Sequence, residues 1–203
     1  MTDKPFISVV IPLYNKEKSI AQSLKSVLDQ TYTNFEIVVV DDGSTDKSVE
    51  VVKDIGDDRI QLLGQSNAGP SKARNTGVKN SKGDWIVFLD ADDELLPDAL
   101  SIFAEIIVEH QDVDIIDCNR YVRRGNDEQL GFHPLEGYVK NPFKECFYGL
   151  VSPGEGRAAF RKTLLLKRPY HEKIRRFEDA ELIIRLLSDA KVYSSRKATM
   201  IVN

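Results

Sequence analysis

Three acidic residues that directly follow an apolar run have the types and spacing best suited to chemistry in this chain. The run covers residues 85–89, and the acids are Asp90, Asp92 and Asp93. An unbroken apolar run is typical of a buried strand, and open α/β sheets bind ligands beyond the carboxyl ends of their strands. Crowded carboxylates repel one another unless a cation lies between them. The pattern predicts a divalent metal ion on a phosphorylated ligand, with the acidic first turn of a helix as the alternative.

The composition is that of an ordinary globular protein and narrows the choice of partners. The 203 residues are 41% hydrophobic and 30% charged, which is enough for the core of one domain. The formal net charge of −4 gives no support for a nucleic-acid partner. Two cysteines, Cys118 and Cys146, make neither a metal site nor a disulfide framework, so we expect a reduced, cytoplasmic setting. Residues 1–4 lead directly into a strand and show no signal peptide.

Predicted strands and helices alternate in the first half. Strands are predicted at 6–13, 35–40, 60–63 and 85–89, and helices at 19–30, 47–55, 71–80 and from Pro97 to about His110. This alternation predicts an α/β fold with a parallel, right-handed doubly wound sheet. The second half is less regular, with strands predicted at 113–122, 158–160, 191–194 and 198–202, a hairpin turn at 125–127, and helices at 141–148, 162–166 and 178–188.

Two other predicted strands also end in polar residues, at 12–15 and at 41–44. Because the carboxyl ends of parallel strands face one edge of the sheet, one ligand could touch all three strand ends. The glycine-rich phosphate fingerprints G-x-G-x-x-G and G-x-x-x-x-G-K-[ST] are absent. We therefore expect a phosphate ligand to be held through a metal ion.

Five motifs now stand in order along the chain: Val10-Ile11-Pro12-Leu13-Tyr14-Asn15, Val40-Asp41-Asp42-Gly43-Ser44-Thr45-Asp46, Ala73-Arg74-Asn75-x-Gly77, Phe88-Leu89-Asp90-Ala91-Asp92-Asp93 and Phe177-Glu178-Asp179. Together they resemble the family 2 glycosyltransferases over about residues 6–190. The resemblance implies the GT-A fold, with a mostly parallel central sheet flanked by helices and a small acceptor-side lobe. It implies a single domain, 1–203, with a nucleotide-sugar half to about residue 110 and an acceptor half from about 111.

The resemblance implies a donor nucleotide site on the first two motifs. Tyr14 would flank the nucleobase in a pocket shaped by Pro12, and Asp42 would accept a hydrogen bond from the base, as from N3–H of uracil. Glu17 would help to hold the nucleoside. The alternatives are a core position for Tyr14, a helix cap for Asp42 and an N-terminal helix acid for Glu17.

Two further elements would close the donor site. The loop 67–70, with Gly69 allowing close backbone approach, would cover the nucleotide. Arg74 would lie near the ribose or the phosphates, where its fork suits anionic oxygens. A simple turn and a helix-face salt bridge are the respective alternatives.

Asp90 and Asp92 resemble the D-x-D motif of the family. By that resemblance Asp92 would bind Mn²⁺ or Mg²⁺ directly, and Asp90 would bind the metal or the ribose. Asp93 is expected to cap the turn. Asp179 would be the general base of a direct displacement with inversion, with Glu178 orienting the acceptor or the loop. Routine acids in the first turn of a helix are the alternative for both.

The acceptor side carries a local excess of basic residues: Arg157, Arg161, Lys162, Lys167, Arg168, Lys173, Arg175 and Arg176. It suggests a carbohydrate or lipid-linked acceptor of anionic character, or peripheral contact with the inner face of the membrane. A solvated face is the slightly favoured alternative. The Gln-x-x-Arg-Trp element of processive synthases is absent, which favours transfer of single sugars in polysaccharide or glycolipid assembly. Many relatives continue beyond the position of Asn203, so the completeness of the acceptor half stays open. The oligomeric state is also open.

Other classes of protein fit the motifs less well. A haloacid-dehalogenase-like phosphatase also has D-x-D at a strand end, but its motif has Thr or Val at the position that Glu94 occupies in this chain. A related nucleotidyltransferase wants a glycine-rich stretch where residues 12–15 stand. A nucleotide-sugar-binding module without turnover is the non-enzyme alternative, and the presence of Asp90, Asp92 and Asp179 disfavours it.

Overall fold

Ten strands and seven helices form the described part of this computed structural model, residues 4–125, 127–154, 156–174 and 176–203. The strands are β1 (Ile7–Leu13), β2 (Phe35–Asp41), β3 (Ile60–Gly64), β4 (Trp85–Phe88), β5 (Glu94–Leu95), β6 (Ile115–Arg124), β7 (Asp127–Leu130), β8 (Gly137–Tyr138), β9 (Ala158–Arg161) and β10 (Val192–Val202). The helices are α1 (Ile20–Leu28), α2 (Ser48–Ile55), α3 (Pro70–Asn80), α4 (Ala99–Glu109), α5 (Pro142–Phe147), α6 (Lys162–Lys167) and α7 (Glu178–Leu186). Residues 1–3, Asn126 of the predicted hairpin turn, Glu155 and Arg175 of the basic cluster lie outside the described residues.

The strands build one sheet in the order β3-β2-β1-β4-β9-β6-β10-β5, with β7 beside β6 and β8 beside β10. The four strands of the first half are parallel, as the alternation of strands and helices predicts. In the second half β9 runs antiparallel between β4 and β6, and β10 is parallel to β6. The α/β fold is confirmed, and one mixed sheet extends through both halves.

The register of this sheet brings three sequence motifs to one edge. Leu13 pairs with Asp41 across β1 and β2, and Val10 pairs with Phe88 across β1 and β4. Because all three strands are parallel, the residues that follow them leave the sheet on the same side. The polar stretches after β1, β2 and β4 are therefore neighbours.

Apolar side chains alternate between the two faces of β1 and build a core on each side of the sheet. Val9 and Ile11 contact the layer that holds α1 and α4. Val10 contacts the opposite layer, which holds α3 and α7. Burial on both faces explains why the central strands are continuous apolar runs.

Helix α3 lies unusually close to β1 at Gly77. A Cβ atom on Gly77 would lie 2.3 Å from Val10 Cγ1, which no packed side chain tolerates. Glycine at this position therefore fixes the distance between α3 and the sheet, and with it the position of the side chains that α3 presents at its N-terminal end.

The predicted start of the fourth helix differs from the structure. The helix predicted from Pro97 begins only at Ala99, after Asp98 at the N-cap position. The cause is β5, a two-residue strand in which Leu95 pairs with Met200 of β10. Because Glu94 and Leu95 are extended, the acids at 90–93 do not form the first turn of a helix. Such a helix start was the alternative to a functional site at these acids.

The remaining second-half elements lie close to their predicted positions. Arg124 pairs with Asp127 across a hairpin between β6 and β7. The two predicted terminal strands are one, β10, with register shifts between Ser194 and Ala198. Among the described residues no helix combines the length and the apolar character needed to span a bilayer.

Candidate active site

A cavity of about 550 Å³ lies at the carboxyl ends of β1, β2 and β4. Five elements contribute to its wall, since the loop before α3 and the N-terminus of α7 join the three strand ends. The residues that line it are Pro12, Leu13, Tyr14, Lys16, Asp42, Asn67, Gly69, Pro70, Ala73, Arg74, Asp90, Ala91, Asp92, Glu178 and Asp179. All predicted site residues except Glu17 are in this set.

Arg74 joins the proposed metal-binding and catalytic residues. Its Nη2 lies 2.9 Å from Asp90 Oδ1, and its Nη1 lies 3.3 Å from Asp179 Oδ1 and 3.7 Å from Glu178 Oε1. The side chain is only 4% exposed and stacks over the Tyr170 ring at 5.4 Å from the ring centroid. Arg74 is thus a fixed cation that contacts three carboxylates on two elements. The alternative interpretation, a single salt bridge on one helix face, does not describe these contacts.

Lys16 is a site residue that sequence reasoning missed. Its Nζ lies 2.5 Å from Asp92 Oδ2, with the two side chains 40% and 45% exposed. A lysine in a polar loop ordinarily indicates a solvated position. The available signal was its place two residues after Tyr14, at a strand end that already pointed to the site.

Asp42 holds the loop 67–70 in place. Its Oδ1 accepts hydrogen bonds from Ala68 N at 2.9 Å and Gln65 Nε2 at 2.7 Å, and its Oδ2 accepts one from Gly69 N at 2.7 Å. Asp42 therefore does not cap α2, so the alternative interpretation of this residue as a helix cap is wrong. A carboxylate offers about four acceptor positions, so these three bonds leave capacity for a nucleobase N–H.

Tyr14 and Glu17 lie in different surroundings. Tyr14 lines the cavity and is 47% exposed, so the core position considered for it is wrong. Glu17 Oε2 accepts a hydrogen bond from Lys47 N at 3.0 Å, the N-cap residue of α2. Glu17 thus stabilises the start of α2 outside the cavity, and its predicted contact with the nucleoside gains no support from this position.

Asn75 fixes the loop that lies beside Arg74. Its Nδ2 donates to Tyr170 O at 2.9 Å, and its Oδ1 accepts from Tyr170 N at 2.9 Å. Phe88 of β4 packs edge-on against the same Tyr170 ring. The motif at residues 73–77 therefore has three functions: Arg74 reaches the cavity, Asn75 holds the Tyr170 loop, and Gly77 seats the helix.

Two helix N-termini face the cavity. Gly69 and Pro70 begin α3, with Gly69 at a φ of 95° that favours glycine, and this end of a helix attracts anions. Glu178 and Asp179 open α7, directly after Phe177, whose φ of 57° is rare for an aromatic residue. The strained residue Phe177 turns the chain so that both acids enter the cavity wall.

Asp93 has a structural contact rather than a place in the cavity. Its Oδ1 accepts from Asn203 N at 3.0 Å, while Asn203 Nδ2 donates to Asp92 O at 2.8 Å. Burial raises the pKa of Asp93 to about 6. The end of β10 thereby fixes the backbone of the acidic stretch, whereas the sequence had suggested only a cap on the local turn.

The carboxylates at 90 and 92 supply part of the coordination of a divalent ion, and the remaining ligands must come from outside the protein. Within the described residues no three His, Cys, Asp or Glu side chains converge as a complete metal site. Mg²⁺ and Mn²⁺ characteristically bind one or two carboxylates and take their remaining ligands from phosphate and water. Asp90 and Asp92, both on the cavity wall and respectively 40% and 45% exposed, suit that mode.

The basic cluster at 157–176 is divided between interior and surface. Arg157 pairs with the buried Asp117, Arg161 stacks over Trp85, and Arg168 pairs with Asp189. Lys162 Nζ donates to Ser81 O. Lys167, Lys173 and Arg176 are exposed. The described members thus include four that stabilise the fold and three that face solvent.

The fold of the chain is of the GT-A type. S. aureus TarS, residues 1–349, has a TM-score of 0.85 and 26% identity over 97% of this chain and 60% of that chain. The TarS structure in complex with UDP matches at a TM-score of 0.84 with 27% identity, and so does the one with UDP-GlcNAc. The family model for glycosyl transferase family 2 matches residues 8–169, and the chain belongs to this family.

Curated relatives share the same region. The glycosyltransferase GlyA of Streptococcus pneumoniae is 43% identical over 131 residues, which is 64% of this chain and 19% of GlyA. YibD of Escherichia coli, an uncharacterised glycosyltransferase, is 40% identical over 115 residues, which is 56% of this chain and 33% of YibD. The matched part of this chain spans a third or less of these relatives. Asp179 lies beyond the stretch that the family model matches, so its assignment depends on the cavity.

Proposed function

We propose that this chain transfers a sugar from a UDP-linked sugar to an acceptor hydroxyl with inversion at the anomeric carbon. The observation that carries the proposal is the presence of Asp90, Asp92 and Asp179 in the wall of one cavity, together with Tyr14 and Asp42. Residues predicted to bind the donor and the residue predicted to act as base come from distant parts of the sequence and line the same cavity. A module for binding alone would not need Asp179 in that wall.

The shape and polarity of the cavity support a nucleoside diphosphate as ligand. Tyr14 offers an exposed ring for stacking on the base, and Asp42 offers acceptor capacity at the loop 67–70. The N-terminus of α3 and the guanidinium of Arg74 suit the negative charge of the diphosphate. UDP is the favoured nucleotide because the N3–H of uracil complements Asp42, and because related TarS structures contain UDP and UDP-GlcNAc.

The reaction would proceed by direct displacement. The acceptor oxygen forms a bond to the anomeric carbon as the bond from that carbon to the diphosphate oxygen breaks, and the electron pair leaves with the nucleoside diphosphate. Asp179 takes the proton of the acceptor hydroxyl as general base. Arg74 holds the Asp179 carboxylate at 3.3 Å and so orients it.

Asp92 and Asp90 would hold Mn²⁺ or Mg²⁺ together with the diphosphate of the donor. When bound, the ion supplies Lewis-acid stabilisation of the leaving group. Asp92 is the preferred ligand, since Asp90 is engaged by the buried Arg74.

A calorimetric titration with UDP in the presence of Mn²⁺ tests the donor site, with ADP as the comparison. We expect UDP to bind and ADP to bind more weakly, and the proposal fails if neither nucleotide binds. Hydrolysis of UDP-GlcNAc without acceptor, followed by proton NMR, gives the configuration of the sugar first released. Retention of configuration would contradict the direct displacement. Asp179→Asn should abolish transfer while leaving UDP binding intact, since its role is in chemistry.

For the acceptor we propose a carbohydrate or a lipid-linked sugar in polysaccharide or glycolipid assembly. We also propose a cytoplasmic location with peripheral contact at the inner face of the membrane, supported by the exposed Lys167, Lys173 and Arg176. Sedimentation with anionic vesicles tests this contact. Loss of all binding above 0.5 M salt (about three times physiological ionic strength) is expected for an electrostatic contact, and absence of binding at low salt contradicts it.

A further inference from the structure

Asp90 and Asp92 each contact a basic side chain, and the two contacts differ in kind. Asp90 contacts Arg74, which is 4% exposed and also reaches Glu178 and Asp179. Asp92 contacts Lys16 at 2.5 Å, and both of these side chains are 40% exposed or more. Arg74 is therefore fixed by its surroundings, whereas Lys16 reaches its partner through solvent-accessible space.

The backbone of Lys16 is anchored although its side chain is accessible. Lys16 N donates to Ser48 Oγ at 2.7 Å, at the first residue of α2. The ammonium lies at the end of a flexible four-carbon stem. Solvent-exposed ion pairs contribute little to stability. The side chain can thus leave Asp92 without disturbing the strand end that carries it.

We propose that Lys16 is an exchangeable counter-ion of Asp92, which a divalent metal ion displaces and which then contacts the diphosphate of the donor. This inference rests on the proposed function, in which Asp92 binds the metal. Lys16 would neutralise Asp92 before the donor and the metal bind. It would then contribute its charge to the phosphate oxygens of a donor in the same cavity, whose wall includes both Lys16 and Asp92.

The exchange has two consequences of opposite sign. The ammonium of Lys16 competes with a divalent cation for the Asp92 carboxylate, and it also repels that cation. Removal of Lys16 should therefore strengthen binding of the metal alone. The same removal takes a cation from the diphosphate, so it should weaken binding of nucleotide alone. A residue with a merely structural role would affect both in the same direction or neither.

The first measurement titrates Mn²⁺ alone into wild type, Lys16→Met and Lys18→Met, with the signal of free Mn²⁺ followed by electron paramagnetic resonance. Lys18 is exposed, two residues away and outside the cavity wall, so its replacement makes the same charge change without the contact. We expect Lys16→Met to bind Mn²⁺ on the order of tenfold more tightly than wild type, from the Coulomb interaction of a dication with a nearby ammonium. Lys18→Met should match wild type.

The second measurement titrates UDP by calorimetry in the presence of EDTA. Lys16→Met should lose affinity for UDP by several-fold, while Lys18→Met keeps it.

An unchanged result for Lys16→Met in either titration overturns the exchange. If Mn²⁺ binds wild type with UDP but the two variants behave alike, only the Lys16 inference falls. If Mn²⁺ binds none of the three proteins even with UDP, the metal-dependent part of the proposed function falls and the Lys16 inference falls with it.

Discussion

The Nη2 atom of Arg74 lies 2.9 Å from Asp90 Oδ1, so a residue of the helix after the third strand holds a residue that follows the fourth. The other terminal nitrogen of Arg74 reaches Asp179, at the start of a helix 105 residues further along the chain. One planar guanidinium thus sets the spacing between the proposed metal site and the proposed base. A single point charge cannot span both carboxylates in this way.

Arg74→Lys should therefore disturb the reaction more than the fold. The substitution keeps the positive charge, but the ammonium can hold only one of the two acids in place. A misplacement of about 1 Å in a catalytic group can cost about 10²-fold in rate, and we expect a loss of this order in hydrolysis of UDP-GlcNAc. The melting temperature should change little. Arg185→Lys, the same change in the Arg185–Glu181 pair away from the cavity, is the control. A full rate in Arg74→Lys would show that Asp90 and Asp179 are positioned by other contacts.

Asp42→Asn should destabilise the protein and weaken nucleotide binding. Asp42 is 4% exposed and accepts from two backbone amides and from Gln65, and an amide group would present a donor to at least one of them. An unsatisfied buried donor costs about 1–3 kcal/mol, which urea unfolding would detect. UDP titrations should show weaker binding because the loop 67–70 lines the cavity. Asp54→Asn, on the exposed face of α2, supplies the control. Wild-type values for both measurements would remove Asp42 from its role in ordering the loop.

Gly77→Ala should lower the free energy of unfolding by about 1–3 kcal/mol, as overpacking of a core does. The added Cβ would lie 2.3 Å from Val10 Cγ1, so α3 or β1 must shift. The double variant with Val10→Ala removes the clashing methyl groups, and its loss should be smaller than the sum of the single losses. Gly64→Ala is the control, because no atom lies within 4 Å of its added Cβ. Additive losses in the double variant would contradict the close approach.

The sequence was sufficient to locate the strand ends of this site but not its ion pairs. The apolar runs before Asp42 and Asp90 predict buried parallel strands, and parallel strands bring their carboxyl ends together whatever the details of packing. The pairing of Lys16 with Asp92 spans 76 residues and depends on a side-chain rotamer, for which the sequence carries no pattern. Glu17 shows the same limit, since its contact with Lys47 depends on where α2 begins. The helix begins at Ala99 rather than at Pro97 because β5 pairs with β10, near the other end of the sequence.

The surroundings of the buried His133 lead us to expect that the free energy of unfolding depends on pH, which the sequence did not indicate. Its Nδ1 lies 3.0 Å from Arg157 Nη2, and its Nε2 lies 2.8 Å from Ser194 Oγ. Arginine can only donate, so Nδ1 accepts and the ring is neutral with its proton on Nε2. Burial, and then the charge of Arg157, lower the pKa of His133 to about 4 from its usual value of 6.5.

A lowered pKa in the folded state makes the contribution of His133 fully present above pH 6.5 and progressively lost as the pH falls to about 4. The difference in pKa corresponds to about 3 kcal/mol. Urea unfolding of wild type and His133→Gln between pH 7 and pH 4 should therefore show a stability gap that narrows on acidification. Asp117, whose pKa burial raises to about 6, contributes the opposite trend. A constant gap for His133→Gln would mean that the ring takes up its proton as readily in the folded as in the unfolded chain.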